Sequence, residues 1–155
     1  MKKKLHHSLL ALIIIIALLI IACLLYTGEK NLHEDKPIRD AAKNEVDKLQ
    51  LLYNDKRFAD IYNRTCEDFK KATEKDSFLF VMARKSNVLG EFKNHKLQYI
   101  NVINSHYVTL HYRVNYTHYS LIEKFDYIQS KDKKPCLKAM YTDDSGNYGE
   151  VVKLD

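Results

Sequence analysis

The sequence predicts an α+β protein: an N-terminal membrane helix, then three helices packed on a curved antiparallel sheet of about four strands. Three observations predict it. Residues 9–26, LLALIIIIALLIIACLLY, carry no charge; apolar residues between Pro37 and Leu89 recur every three to four positions; after Gly90 the spacing falls to two. The first pattern suits a helix in lipid, the second helices with one buried face, the third strands with one buried face.

The uncharged run, at 1.5 Å rise per residue, is just long enough for the roughly 30 Å hydrocarbon core. Lys2, Lys3 and Lys4 precede it and are expected to stay cytoplasmic, with Tyr26 as an interfacial aromatic. The expected layout is a basic cytoplasmic n-region over 1–8, a transmembrane or signal helix over 9–26, a polar linker over 27–36 and an extracytoplasmic domain over 37–155. The expected location is the cytoplasmic membrane, single-pass, with the domain outside. Three fates of the helix share this layout: an uncleaved anchor, a cleaved signal and a lipoprotein signal. Ile20-Ile21-Ala22-Cys23 resembles a bacterial lipobox, which would place lipid on Cys23. Apolar Leu24, Leu25 and Tyr26 run on past that cut and suit an uncleaved helix better.

The 155 residues leave room for one domain with one core beyond the anchor. Setting aside Lys2 to Lys4, 22 of the 25 Lys+Arg remain against 20 Asp+Glu, a charge of +2, and the charges are interspersed. No basic stripe follows a phosphate backbone, so nucleic acid is not an expected partner.

The first helix of the domain opens at Pro37 and carries Ile38, Ala42, Val46, Leu49 and Tyr53 on one face. A second, short helix runs through Phe58, Ile61 and Tyr62, with Phe69 continuing its apolar edge. Thr73 to Asp76 has the layout of a capping box for a third helix, which turns Phe78, Val81, Met82 and Leu89 inward and stops at Gly90. Val108, Leu110, Tyr112, Val114 and Tyr116 alternate with polar residues and form the clearest strand. Leu97, Tyr99 and Val102 suggest a strand before it; 121–128 and 137–141 suggest two after it. Asn104-Ser105 and 130–135 supply turns.

This order of elements, with the rhythm of Phe58, Ile61, Tyr62, Phe69, Lys70, Phe78, Leu89 and Gly90, resembles the nuclear transport factor 2-like, cystatin-like cone superfamily over residues 37–141, and within it bacterial exported or lipoprotein-anchored members. The resemblance implies helices over a concave sheet and a cone-shaped pocket. Members of that superfamily include apolar-ligand binders, isomerases or dehydratases with an inward Asp, His or Tyr, and interaction surfaces, so the fold does not choose among them. The anchor-plus-domain layout is also similar to bridging subunits of bacterial secretion systems.

Cys66 and Cys136 suit a disulfide in an oxidising compartment, or two separately buried thiols. Tyr62, Tyr112 and Tyr116 are the candidate ligand-binding residues: either they line a pocket, or they are core aromatics whose hydroxyls find partners at its edge. Glu123 and Asp126 have opposite parity on their strand, so at most one faces inward. His95, His106, His111 and His118 form no i, i+2 pair on a strand or i, i+4 pair on a helix, and no metal site or cofactor is expected. Asn63-Arg64-Thr65 and Asn115-Tyr116-Thr117 match the glycosylation triplet, which is read as coincidence in a bacterial chain. No phosphate loop, GxSxG or Cys–His arrangement marks a catalytic centre. The expected function is a membrane-tethered, non-enzymatic interaction or assembly module of the bacterial envelope, with a neighbouring envelope protein as partner. The alternatives are a small apolar-ligand pocket and, behind it, an isomerase- or dehydratase-like enzyme.

Overall fold

Period-3.6 segments in the first half and period-2 segments in the second become helices and strands in that order. The computed structural model describes residues 13–26, 35–130, 132 and 134–154. The chain divides into two compact units, Met1–Lys36 and Pro37–Asp155.

In the first unit residues 13–26 form a helix, α1. The expected spanning segment is overturned here, where the described part of α1 covers residues 13–26. Among the described residues no helix is long and apolar enough to cross a membrane. The single-pass topology, the signal anchor and the cytoplasmic-membrane location lose the helix on which they rested. Residues 1–12, which hold the expected n-region and the start of the span, and 27–34, most of the expected linker, lie outside the described residues. Cys23, the expected lipidation residue, sits on α1 with its side chain exposed.

The second unit contains α2 (Lys36–Asn54), α3 (Phe58–Asn63), α4 (Glu67–Ala72), α5 (Lys75–Leu89) and strands β1 (Phe92–Ile103), β2 (Tyr107–Tyr116), β3 (Tyr119–Gln129), β4 (Pro135–Asp143) and β5 (Val152–Lys153). All the strand pairs are antiparallel, in the order β1-β2-β3-β4. β5 pairs with Tyr119 and Ser120 at the start of β3, while β4 pairs with β3 from Ile122 onward. Register shifts in β1 near Asn94 and Tyr99, and between Asp126 and Tyr127 of β3, bend the sheet.

α2 buries Ile38, Ala42, Val46, Leu49 and Tyr53, the predicted stripe, and adds Gln50. Against that stripe lie the even residues of β2 from Val108 to Tyr116 and Leu121, Phe125 and Tyr127 of β3. Each such side chain contributes about 1.5–3 kcal/mol by leaving water, so this layer is the main source of stability.

Four helices stand where three were expected. The predicted second helix breaks at Arg64–Cys66, where Cys66 takes an extended conformation, its N–H donates to the Leu137 carbonyl at 2.8 Å, and its sulfur is bonded to Cys136. A cross-link to β4 pulls the chain out of helical geometry, and α4 restarts beyond it. The capping box does not form either: Thr73 closes α4 in an extended conformation, and Glu74 precedes α5 with no side-chain cap. α5 ends at Gly90, whose φ of +81° and whose approach to Thr117, 2.7 Å from where a Cβ would lie, both require glycine.

Candidate binding groove

β3 turns Glu123 toward the helices and Asp126 to the opposite face, which resolves their parity. Glu123 is fully buried. It pairs with Lys85 of α5, accepts from Gln50 Nε2 at 3.3 Å and accepts from the Thr142 hydroxyl at 3.0 Å. The Lys85 ammonium also lies 5.3 Å from the ring centres of Tyr53 and Tyr116. These two rings meet edge-on at 5.4 Å. Burial, then the Glu123 charge, hold the Tyr116 phenol far above its ordinary pKa. The space between helices and sheet is thus filled by the protein's own aromatic rings and one neutralised ion pair.

The three tyrosines singled out in the sequence are all buried: Tyr62 in one aromatic cluster, and Tyr112 and Tyr116 in another, linked through His95 and Phe92. Tyr62 touches Phe69 and Phe78, and its hydroxyl donates to the Thr73 carbonyl at 2.9 Å. Tyr112 lies 4.4 Å from the His95 ring and 6.1 Å from Phe125, and burial followed by the Asp47 charge pushes its pKa to about 12. Tyr116 belongs to the Tyr53 pair. None of the three lines the cavity described next. Cys66 and Cys136 are joined in a disulfide with their Cα atoms 5.2 Å apart.

A cavity of about 600 Å³ opens between α4, α5 and β4. Phe69 of α4, Phe78, Val81 and Met82 of α5, and Met140 and Tyr141 of β4 make it apolar. Phe69 and Phe78 meet edge-on at 5.8 Å over Tyr62, so the aromatic cluster behind the wall holds it in place. One end is polar. There Asp126 accepts from Thr109 Oγ1 at 2.7 Å and pairs with Lys124 at 3.1 Å, while the Lys138 ammonium lies over the Tyr107 ring at 5.4 Å. Burial, then the adjoining Asp126 carboxylate, raise the Tyr107 pKa. Val81 was expected to point inward but is 59 % exposed at the rim. Phe80 and Val88 of the same helix are exposed too, and Val88 follows Val81 by two turns on the same line.

Among the described residues no group of His, Cys, Asp and Glu is placed to hold a metal ion. Sequence reasoning missed the Lys85–Glu123 pair, because Lys85 reads as one more solvent-facing cation. Gln50 was a usable signal: it falls on the apolar stripe of α2, where a polar residue needs a buried partner. No protein-family model matches the chain, and no curated protein matches it at a significant level.

Proposed function

We propose that the Pro37–Asp155 unit, read as a nuclear transport factor 2-like domain, is a non-enzymatic interaction module that takes apolar side chains of a partner protein into the groove between α4, α5 and β4. The observation that carries this reading is an apolar cavity that extends to Val81, 59 % exposed, on a helix that also exposes Phe80 and Val88. An apolar surface that runs beyond a pocket suits a macromolecule more than a small solute. The non-enzymatic part is supported by the state of the carboxylates that general acid–base work would need: Glu123 is neutralised by Lys85 and lies outside the groove, and Asp126, at the groove's polar end, is paired with Lys124 and accepts from the Thr109 hydroxyl.

A second reading, a small apolar ligand, is favoured by the cavity volume alone, which falls within the usual range of about 300–1,000 Å³. A photo-reactive benzoylphenylalanine at Ser77, an exposed groove residue, tests both in cells of the source organism. The interaction reading expects a discrete protein adduct that disappears when Val81→Asp is added, and no adduct from the same group at Lys93 on β1. An adduct of small-molecule mass would favour the second reading. Equal adducts from Ser77 and Lys93, unaffected by Val81→Asp, would overturn both.

A further inference from the structure

The sheet face turned away from the helices carries an organised set of side chains that the groove does not use. Pairing across the strands aligns Tyr99 of β1 with His111 of β2, His111 with Lys124 of β3, and Lys124 with Tyr141 of β4. At about 4.8 Å between strands, this row extends about 14 Å. Tyr99 and Tyr141 are 51 % and 54 % exposed. The segment after β4 adds Tyr148, 58 % exposed, whose ring stands 5.2 Å from His111, which the Tyr99 ring also approaches at 5.4 Å.

Tyr148 is held in place. The Asp143 carboxylate accepts the backbone N–H groups of Asn147 and Tyr148 at 2.9 and 2.6 Å, and Arg113 donates to the Glu150 carbonyl. Gly149 lets the chain pass where a Cβ would lie 2.8 Å from Arg113. Between Tyr141 and Tyr148 is a cavity of about 420 Å³, lined also by Lys124, Asp144 and Asn147.

The chemistry of this lining selects a ligand class. Flat exposed rings on a rigid support offer apolar faces without an ordering cost. The charge is balanced, since Lys124 is paired with Asp126 and Asp143 is saturated by backbone N–H groups. A phosphate backbone needs unpaired cations and would meet Asp144 instead. A polyproline segment offers carbonyl acceptors only, which leaves the acceptor-only Asp144 unmatched. A ligand with flat C–H faces and many hydroxyls answers both the rings and the mixed donors and acceptors of Asn147 and Asp144. We propose that this face binds a neutral saccharide chain, stacked on Tyr141 and Tyr148 and hydrogen-bonded by Asn147 and Asp144.

The test is titration of the full chain with cellohexaose, maltohexaose and chitohexaose, followed by calorimetry and by the fluorescence of its 11 tyrosines, undiluted by tryptophan. At least one of the three is expected to saturate. Tyr148→Ala should weaken it about tenfold, the upper end of what one ring contact contributes, with unchanged circular dichroism. Tyr141 borders the groove as well, so Tyr148→Ala is the variant that isolates this face. Asn147→Ala should weaken binding independently of the ring. The proposal is overturned if none of the three saturates by about 10 mM, if Tyr148→Ala leaves binding unchanged, or if decaproline or an oligothymidylate binds in a Tyr148-dependent way while the sugars do not.

Discussion

Lys85 of α5 and Glu123 of β3 form an ion pair with side chains 8 % and 0 % exposed. Opposite charges out of water attract strongly but cost desolvation, so removing one partner is far worse than removing both. Lys85→Met should destabilise the protein by about 3–5 kcal/mol. Lys85→Met with Glu123→Leu should recover most of that loss. The midpoint of urea unfolding reads both; equal losses in the single and double variants would mean that packing, not the uncompensated charge, sets the cost.

Cys66 and Cys136 close a loop of 70 residues. In the chain-entropy account such a closure stabilises by about 4 kcal/mol, acting on the unfolded state. Cys66→Ser with Cys136→Ser should lower the thermal midpoint, and dithiothreitol should lower that of the wild type to the same value. Because the bond also fixes the break between α3 and α4, amide exchange in Arg64–Thr73 should rise first.

Gly90 carries a positive φ, a 2.7 Å approach to Thr117 and a carbonyl that accepts from the Tyr53 hydroxyl at 2.9 Å. Gly90→Ala should cost about 1–3 kcal/mol, since both the dihedral and the contact must give. Gly146 has φ +74° but open space, with nothing nearer than 3.6 Å. Gly146→Ala should cost only about 1 kcal/mol. Parallel denaturant titrations of the two variants separate dihedral strain from steric clash.

Acid should destabilise the outer face in two windows. His111 is held below its ordinary 6.5 by burial and then by the Lys124 charge, so the folded state resists the proton that the unfolded chain accepts. Its contribution is complete above about 6.5 and falls as pH drops through the folded value. Asp143 is held below 3.8, chiefly by the Tyr148 N–H, so its contribution is complete above that value and is lost further down. His111→Gln should flatten the first window and Asp143→Asn the second, as read from stability against pH.

What was legible in the sequence is what one-sided burial writes into spacing. The α2 stripe from Ile38 to Tyr53 and the even residues of β2 each face a single layer, so the period survives. The turn at Asn104 and Ser105 was legible for a local reason, since both residues take positive φ there. Contacts between distant residues left no such mark. The break before α4 depends on Leu137 and Cys136, more than seventy positions from the helix it interrupts. Hydropathy alone suggested a spanning helix that the described α1 does not supply. Tyr62, Tyr112 and Tyr116 were read either as pocket-lining residues or as core aromatics, and spacing does not reveal their neighbours: Lys85 and Tyr53 lie against Tyr116, Phe125 against Tyr112, and Phe69 and Phe78 against Tyr62. The groove went unread because its walls come from α4, α5 and β4, and only pairing places Met140 near Met82.

The measurement that tests the binding account most directly is methyl NMR with carbon-13-labelled methionine, because Met82 and Met140 both line the groove. The uncomplexed full chain is titrated with toluene, a minimal apolar group. The account predicts saturable shifts of both methyl signals, absent in Val81→Asp protein that keeps its fold. Shifts that grow linearly without saturating, or that persist unchanged in Val81→Asp, would contradict it.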